Sequence, residues 1–285
     1  MNTPVPPLCY AVIFFTVCHG GWIASRGQKL NKRRKSSSEI QDEHLYLSSL
    51  GTPGVLFVYR WGCLFYVLYV CVEQITRIRS FRIYKFYTVW NWYLLFAYFL
   101  LAATWSLQWL RQQPHRGAAA RPAWRERRRH WTVVLLHVNL TTVFIVNTFT
   151  WLVLVPMMLA NPETVGKAKK MFFTFTSYNQ HGVNSLLILG DLMLNAIPFQ
   201  GYMIGYAGMW SGLYSIWAHV NYALHGEWIY VFMDPGKANV IVMYSAVFLA
   251  HWAFFGVVWA LFKLRDSVAP LSPSKIAPRA LAKGL

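Results

Sequence analysis

The sequence predicts an all-α polytopic transmembrane helical bundle with six core spans and an extra N-terminal membrane segment. Three observations predict it. Apolar residues make up 56% of 285 positions and are gathered in runs long enough to cross a hydrocarbon layer of roughly 30 Å. Charged residues are only 13% and cluster between those runs. Aromatic residues reach 17%, with tryptophans near run ends, where an interfacial belt places them.

The N-terminal region, residues 1–54, opens with Leu8 to Ala24, about as long as the shortest spans. Without a basic stretch before it or a small-residue cleavage site after it, it reads as an anchor or re-entrant helix. Residues 25–54 are polar, include the run Ser36-Ser37-Ser38, and read as a flexible loop. The membrane domain, residues 55–262, begins with Val55 to Ile75, in which Arg60 and Glu73 lie near the ends and are expected to snorkel. After a basic hairpin, Phe86 to Leu110 carries Thr88, Asn91 and Trp92 in its first turns and Trp105 and Trp109 near the far interface. Residues 111–130 form a basic loop expected on anionic headgroups. Trp131 to Met158 is long enough to tilt. Its Asn139-Leu140-Thr141 matches a glycosylation sequon that a span would hide. Asn179 to Phe199, Gly205 to His225 and Asn239 to Phe262 complete the set, and residues 263–285 form a basic tail.

Six alternating spans divide the loops between two sides. Six Lys/Arg in 25–54, seven in 111–130 and five in the tail give eighteen on one side, against eight on the other. The positive-inside bias therefore makes the tail cytosolic, in an endomembrane or the plasma membrane. The net charge of +17 is explained by the same loops and by membrane lipids as partners; no module supports nucleic acid. No particular protein partner is indicated. Cys9, Cys18, Cys63 and Cys71 lie in apolar segments without metal spacing and read as packing residues.

The stretch Asn179 to Phe199 carries His181, Asn184, Asp191 and Asn195. At about 100° per residue they share an arc of roughly 80° on one helix face. A carboxyl at membrane depth costs at least about 2.5 kcal/mol, so this face turns inward. Two readings stand: a polar seam joining helices, or a substrate or catalytic site. The alternation also sets Thr88 and His181 at similar depth near the non-cytosolic interface. Trp228, Tyr230 and Asp234 lie in a loop on that side, which predicts a pocket there.

No nucleophile elbow, HExxH or phosphate-binding glycine loop is present, and no histidine boxes for two irons. His137, His181, His219 and His251 lie on four spans at poorly matched depths for haem, so no cofactor and no metal are expected. What remains is a hydroxyl nucleophile with an imidazole base, Thr88 and His181, with Asp191 or Asn184 orienting the network. Against it stands the ordinary alternative, a threonine bonded to its own helix and an interfacial histidine.

The segments FYTVWNW, HGVNSLLILGDLMLNAIPF and WSGLYSIWAHVNYALHGEWIYVFMDP together resemble the androgen-induced-protein family and its rolling-stone-like relatives, over roughly Tyr59 to Phe262. The ordered pattern is Thr88, His181, Asn184, Asp191 and Trp228/Tyr230. The resemblance implies six spans and, in one branch, a threonine hydrolase of fatty-acid esters of hydroxy fatty acids. Thr88 matches the nucleophile. The hydrolase histidine falls at Asn184, and an amide is no base near neutral pH. The chain looks closer to the branch with the HxxN pattern, so either His181 serves as base or this hydrolysis is absent. The enzymatic expectation is therefore lipid-ester hydrolysis; the alternative is a non-enzymatic protein whose seam binds lipid or a partner helix.

Overall fold

The computed structural model describes residues 5–33, 40–111, 122–236 and 239–270. Ser36, Ser37, Ser38, residues 112–121 of the basic 111–130 loop and the tail beyond residue 270 lie outside the described residues. The described residues are helical, with one isolated bridge between Ser48 and Asn195. In order the helices are α1 (Pro7–Arg33), α2 (Pro53–Ile78), α3 (Tyr87–Arg111), α4 (Ala123–Thr148), α5 (Val155–Ala160), α6 (Val165–Phe172), α7 (Phe175–Tyr178), α8 (Asn184–Leu194), α9 (Ile204–His225) and α10 (Val240–Val268).

Four helices are long and apolar enough to cross a membrane: Pro7–Asn31, Pro53–Ile78, Ala123–Ala160 and Val240–Val268. α3 and α9 lie in the same bundle but outside that group, and the expected span Asn179 to Phe199 is not one straight helix. A π-helical turn, Asn179–Val183, joins α7 to α8, with His181 at the non-helical angles φ −127° and ψ 19°. A second π turn, Phe149–Leu154, joins α4 to α5. Pro156 follows it and has no N–H to offer a carbonyl one turn back, so the backbone widens there.

Large apolar side chains are exposed around the outside, Phe14, Val58, Phe65, Leu152, Leu186 and Leu249 among them. That is the surface a lipid-facing bundle presents, and it would be an aggregation liability in water. α1 packs along α9 through small residues. A Cβ built on Gly20 would lie 2.6 Å from the Gly205 carbonyl oxygen, so both positions need glycine for the backbones to meet.

The loops fall at two ends. At one, Asp42 pairs with Arg125 at 2.5 Å and Arg129 at 3.1 Å, and Ser49 N–H bonds the Leu194 carbonyl. At the other, Arg77 bonds Thr176 and the Tyr87 N–H bonds the Tyr230 hydroxyl.

Several expectations change. The polar region 25–54 is not all loop: α1 continues to Arg33, and Asp42 and His44 are buried in a 3-10 turn, Asp42–Leu45. Helix begins at Ala123, inside the expected basic loop, because Pro122 stands at its start and Arg125 and Arg129 find Asp42. Trp105 does not join an interfacial belt; it is buried, donates to Thr132 and carries the Arg128 guanidinium 4.6 Å over its ring. α10 runs past Phe262 to Val268, and Arg265, expected in the tail, is buried against Asn195 and Ile197.

Candidate functional site

Arg60 does not snorkel. It is fully buried, with Nε 2.6 Å from Asp191 Oδ1 and Nη2 3.2 Å from Oδ2. Its Nη1 donates to the Leu45 carbonyl at 2.5 Å and to Ser106 at 3.3 Å. Asp191 Oδ2 also accepts from the Tyr98 hydroxyl and from Asn195 at 2.8 Å. Both carboxylate oxygens are therefore occupied. Asp191 stands ten residues from His181, roughly 15 Å along the helix, and orients no imidazole. It knits α2, α3 and α8 together.

Asn184 does not orient one either. Its amide exchanges hydrogen bonds with Asn147 at 3.1 and 3.3 Å and donates to the Gln180 carbonyl. The expected inward face is real, since His181, Asn184, Asp191 and Asn195 are all buried, but it splits into separate clusters. His181 lies where the two π turns meet. Its Nδ1 is 2.9 Å from Thr150 Oγ1, and its carbonyl accepts the Trp151 indole N–H at 2.5 Å. The hydroxyl that meets His181 is thus Thr150, not Thr88. π turns turn side chains off the α-helical spacing, so a reading at 100° per residue does not find this pair.

Thr88 stands on the wall of a cavity of about 920 Å³, counting its open mouth, at the end that holds the 226–238 loop. Helices α1, α3, α4, α9 and α10 supply the walls, mostly apolar: Val12, Ile145, Phe149 and Phe248 are typical. Among the described residues no hydrogen bond engages the Thr88 hydroxyl, so it is not spent on its own helix. Thr150 shares this lining and links His181 to the cavity. Tyr230 also lines it, stacks on Phe232 at 5.2 Å, and burial pushes its phenol up to about 12. Trp228 stacks on Tyr222 at 4.1 Å, outside that lining. Asn91 accepts from the Trp210 indole at 3.1 Å and donates to the Tyr87 carbonyl, holding α3 against α9.

Ser211 and His251, which the sequence showed only as a polar position on α9 and a histidine midway along the last span, face the same cavity. His251 Nδ1 lies 2.6 Å from the Val247 carbonyl, and its Nε2 is hydrogen-bonded to Ser211 Oγ. Tyr87 Oη lies 2.5 Å from Ser211 Oγ. A hydroxyl and an imidazole on different helices can be paired from one sequence only with knowledge of how the helices turn.

No family model, no curated protein and no solved structure matches the chain.

Proposed function

We propose that this multi-pass membrane protein draws the acyl chain of a lipid into the cavity and hydrolyses a lipid ester there. The observation that carries the reading is the cavity: a mostly apolar, open-mouthed space whose polar groups are hydroxyls and an imidazole. Such a lining holds a chain by burial and a headgroup or ester by hydrogen bonds. The resemblance to the androgen-induced-protein family adds the substrate class, fatty-acid esters of hydroxy fatty acids, with Thr88 as nucleophile and His181 as base. Thr88 on the cavity wall supports that assignment, and Thr150 offers His181 a hydroxyl path to the cavity. Six core spans with a cytosolic C-terminus, argued from the loop charges, would open the cavity toward the non-cytosolic leaflet.

A second reading, a non-enzymatic lipid-binding protein, is favoured by the bond of His181 to Thr150 in place of Thr88. A diazirine-bearing palmitate and a lipid-ester turnover assay on purified protein separate the two. Crosslinking to Ile145 or Phe149, with turnover that falls in Thr88→Ala and His181→Ala, supports the hydrolase built on that pair. Crosslinking without turnover leaves the binding protein. Absence of crosslinking to the cavity sinks both readings.

A further inference from the structure

We infer that Ser211 and His251 form a nucleophile–base pair for acyl transfer inside this cavity. The inference rests on the cavity accepting an acyl lipid, and it assigns the chemistry to a pair the resemblance does not include.

With a neutral imidazole, the hydrogen bonds fix the protons in the pair. A carbonyl oxygen can only accept, so the 2.6 Å contact with Val247 means that His251 Nδ1 carries the hydrogen. Its Nε2 is then the bare, accepting nitrogen, and Ser211 Oγ–H donates to it. With the serine proton committed, the Tyr87 hydroxyl donates to Ser211 Oγ. The serine oxygen is left with a lone pair beside apolar space, its proton already directed at a base. That is the arrangement a hydroxyl needs to become a nucleophile. In soluble hydrolases a third group holds the imidazole tautomer. Here the α10 backbone does so, one turn before the histidine.

The chemistry balances without any further reagent than water. Ser211 Oγ attacks the ester carbonyl carbon as its proton passes to His251 Nε2. Collapse of the tetrahedral adduct breaks the bond to the alkoxy oxygen, which leaves as an alcohol with the proton from Nε2. Water, losing its proton to Nε2, then attacks the acyl-serine and releases the fatty acid, and the proton returns to Ser211.

The test uses the full-length wild-type protein in detergent with an alkyl fluorophosphonate, followed by peptide mapping of the adduct. The mapped residue is expected to be Ser211. Labelling should vanish in Ser211→Ala and slow by roughly 10²–10⁴-fold in His251→Phe, which keeps a ring of similar bulk. It should persist in Thr88→Ala. The diazirine palmitate, applied to each variant, reports whether the cavity still forms. An adduct on Thr88 or any other residue overturns the pair, as does labelling that survives Ser211→Ala. Palmitate crosslinked in the cavity of a wild-type protein that takes no fluorophosphonate also overturns the pair, while leaving lipid binding intact. No palmitate in the wild-type cavity removes the reading beneath it.

Discussion

Arg60 and Asp191 are both fully buried, and between them they tie α2, α3 and α8 to the Asp42–Leu45 turn. Removing one partner strands the other charge without water. Asp191→Asn is therefore expected to destabilise by about 3–5 kcal/mol, read as a fall in thermal unfolding temperature in detergent. Replacing both residues with apolar ones of similar size should recover most of that loss, and an unchanged wild-type temperature in Asp191→Asn would refute the pair. His44 gives a pH test at the same scale. Burial lowers its imidazole below the ordinary value of about 6.5, with Arg265 and Arg129 adding to the effect and Glu43 opposing it. Its neutral Nδ1 accepts the Gln41 N–H at 2.9 Å. The unfolded chain therefore takes the proton first as pH falls. The stabilisation is full above about 6.5 and lost as pH drops through the lowered folded value. The unfolding temperature should fall across that range, and less steeply in His44→Gln.

Among the elements, the α1–α9 contact is the most exacting. Gly205→Val would drive its side chain into the Gly20 carbonyl and the Ala24 amide, both backbone. A loss of about 1–3 kcal/mol is expected, with weaker palmitate crosslinking because α1 is one wall of the cavity. Equal stability of Gly205→Val and wild type would contradict the close approach. The helices were legible because apolar runs such as Val55 to Ile75 and Asn239 to Phe262 need no partner to be seen. Their ends were less so: α1 runs on through Lys29, which is exposed, and α10 through Arg265, which Asn195 and Ile197 receive. The polar arc on Asn179 to Phe199 was legible as an inward face. Its division was not, because the π turn at His181 breaks the angular count and because Arg60, the partner of Asp191, lies 131 residues away. Depth alone set Thr88 beside a pocket between the second and fourth spans; Thr88 does line the cavity, but no residue of Asn179 to Phe199 does, and Ser211 and His251 stood in plain view on separate segments.

At the scale of the whole molecule, the two loop ends predict a topology. Single cysteines at 40–50 and at Glu126 should react with impermeant maleimide from one side of sealed vesicles, and cysteines at Arg82 and Glu227 from the other. On the topology argued from the excess of Lys/Arg, the first pair is expected to react from the cytosolic side. Labelling of Glu126→Cys from outside intact cells would invert the orientation and move the cavity mouth to the cytosolic leaflet.

His137, His219 and His251 obey one local rule: each gives Nδ1–H to the carbonyl four residues back on its own helix. Each therefore presents a bare Nε2 to a neighbour: the Gln200 N–H, the Tyr244 hydroxyl and the Ser211 hydroxyl. An imidazole aimed this way needs no ionised companion, which suits a hydrocarbon setting where a carboxylate is expensive to bury. The same neutrality leaves nothing to balance an imidazolium once a proton arrives. Acylation of Ser211 and its release by water each pass a proton through Nε2, so a site built on such a histidine should be slowed alike in both halves of its cycle, adduct formation and turnover together.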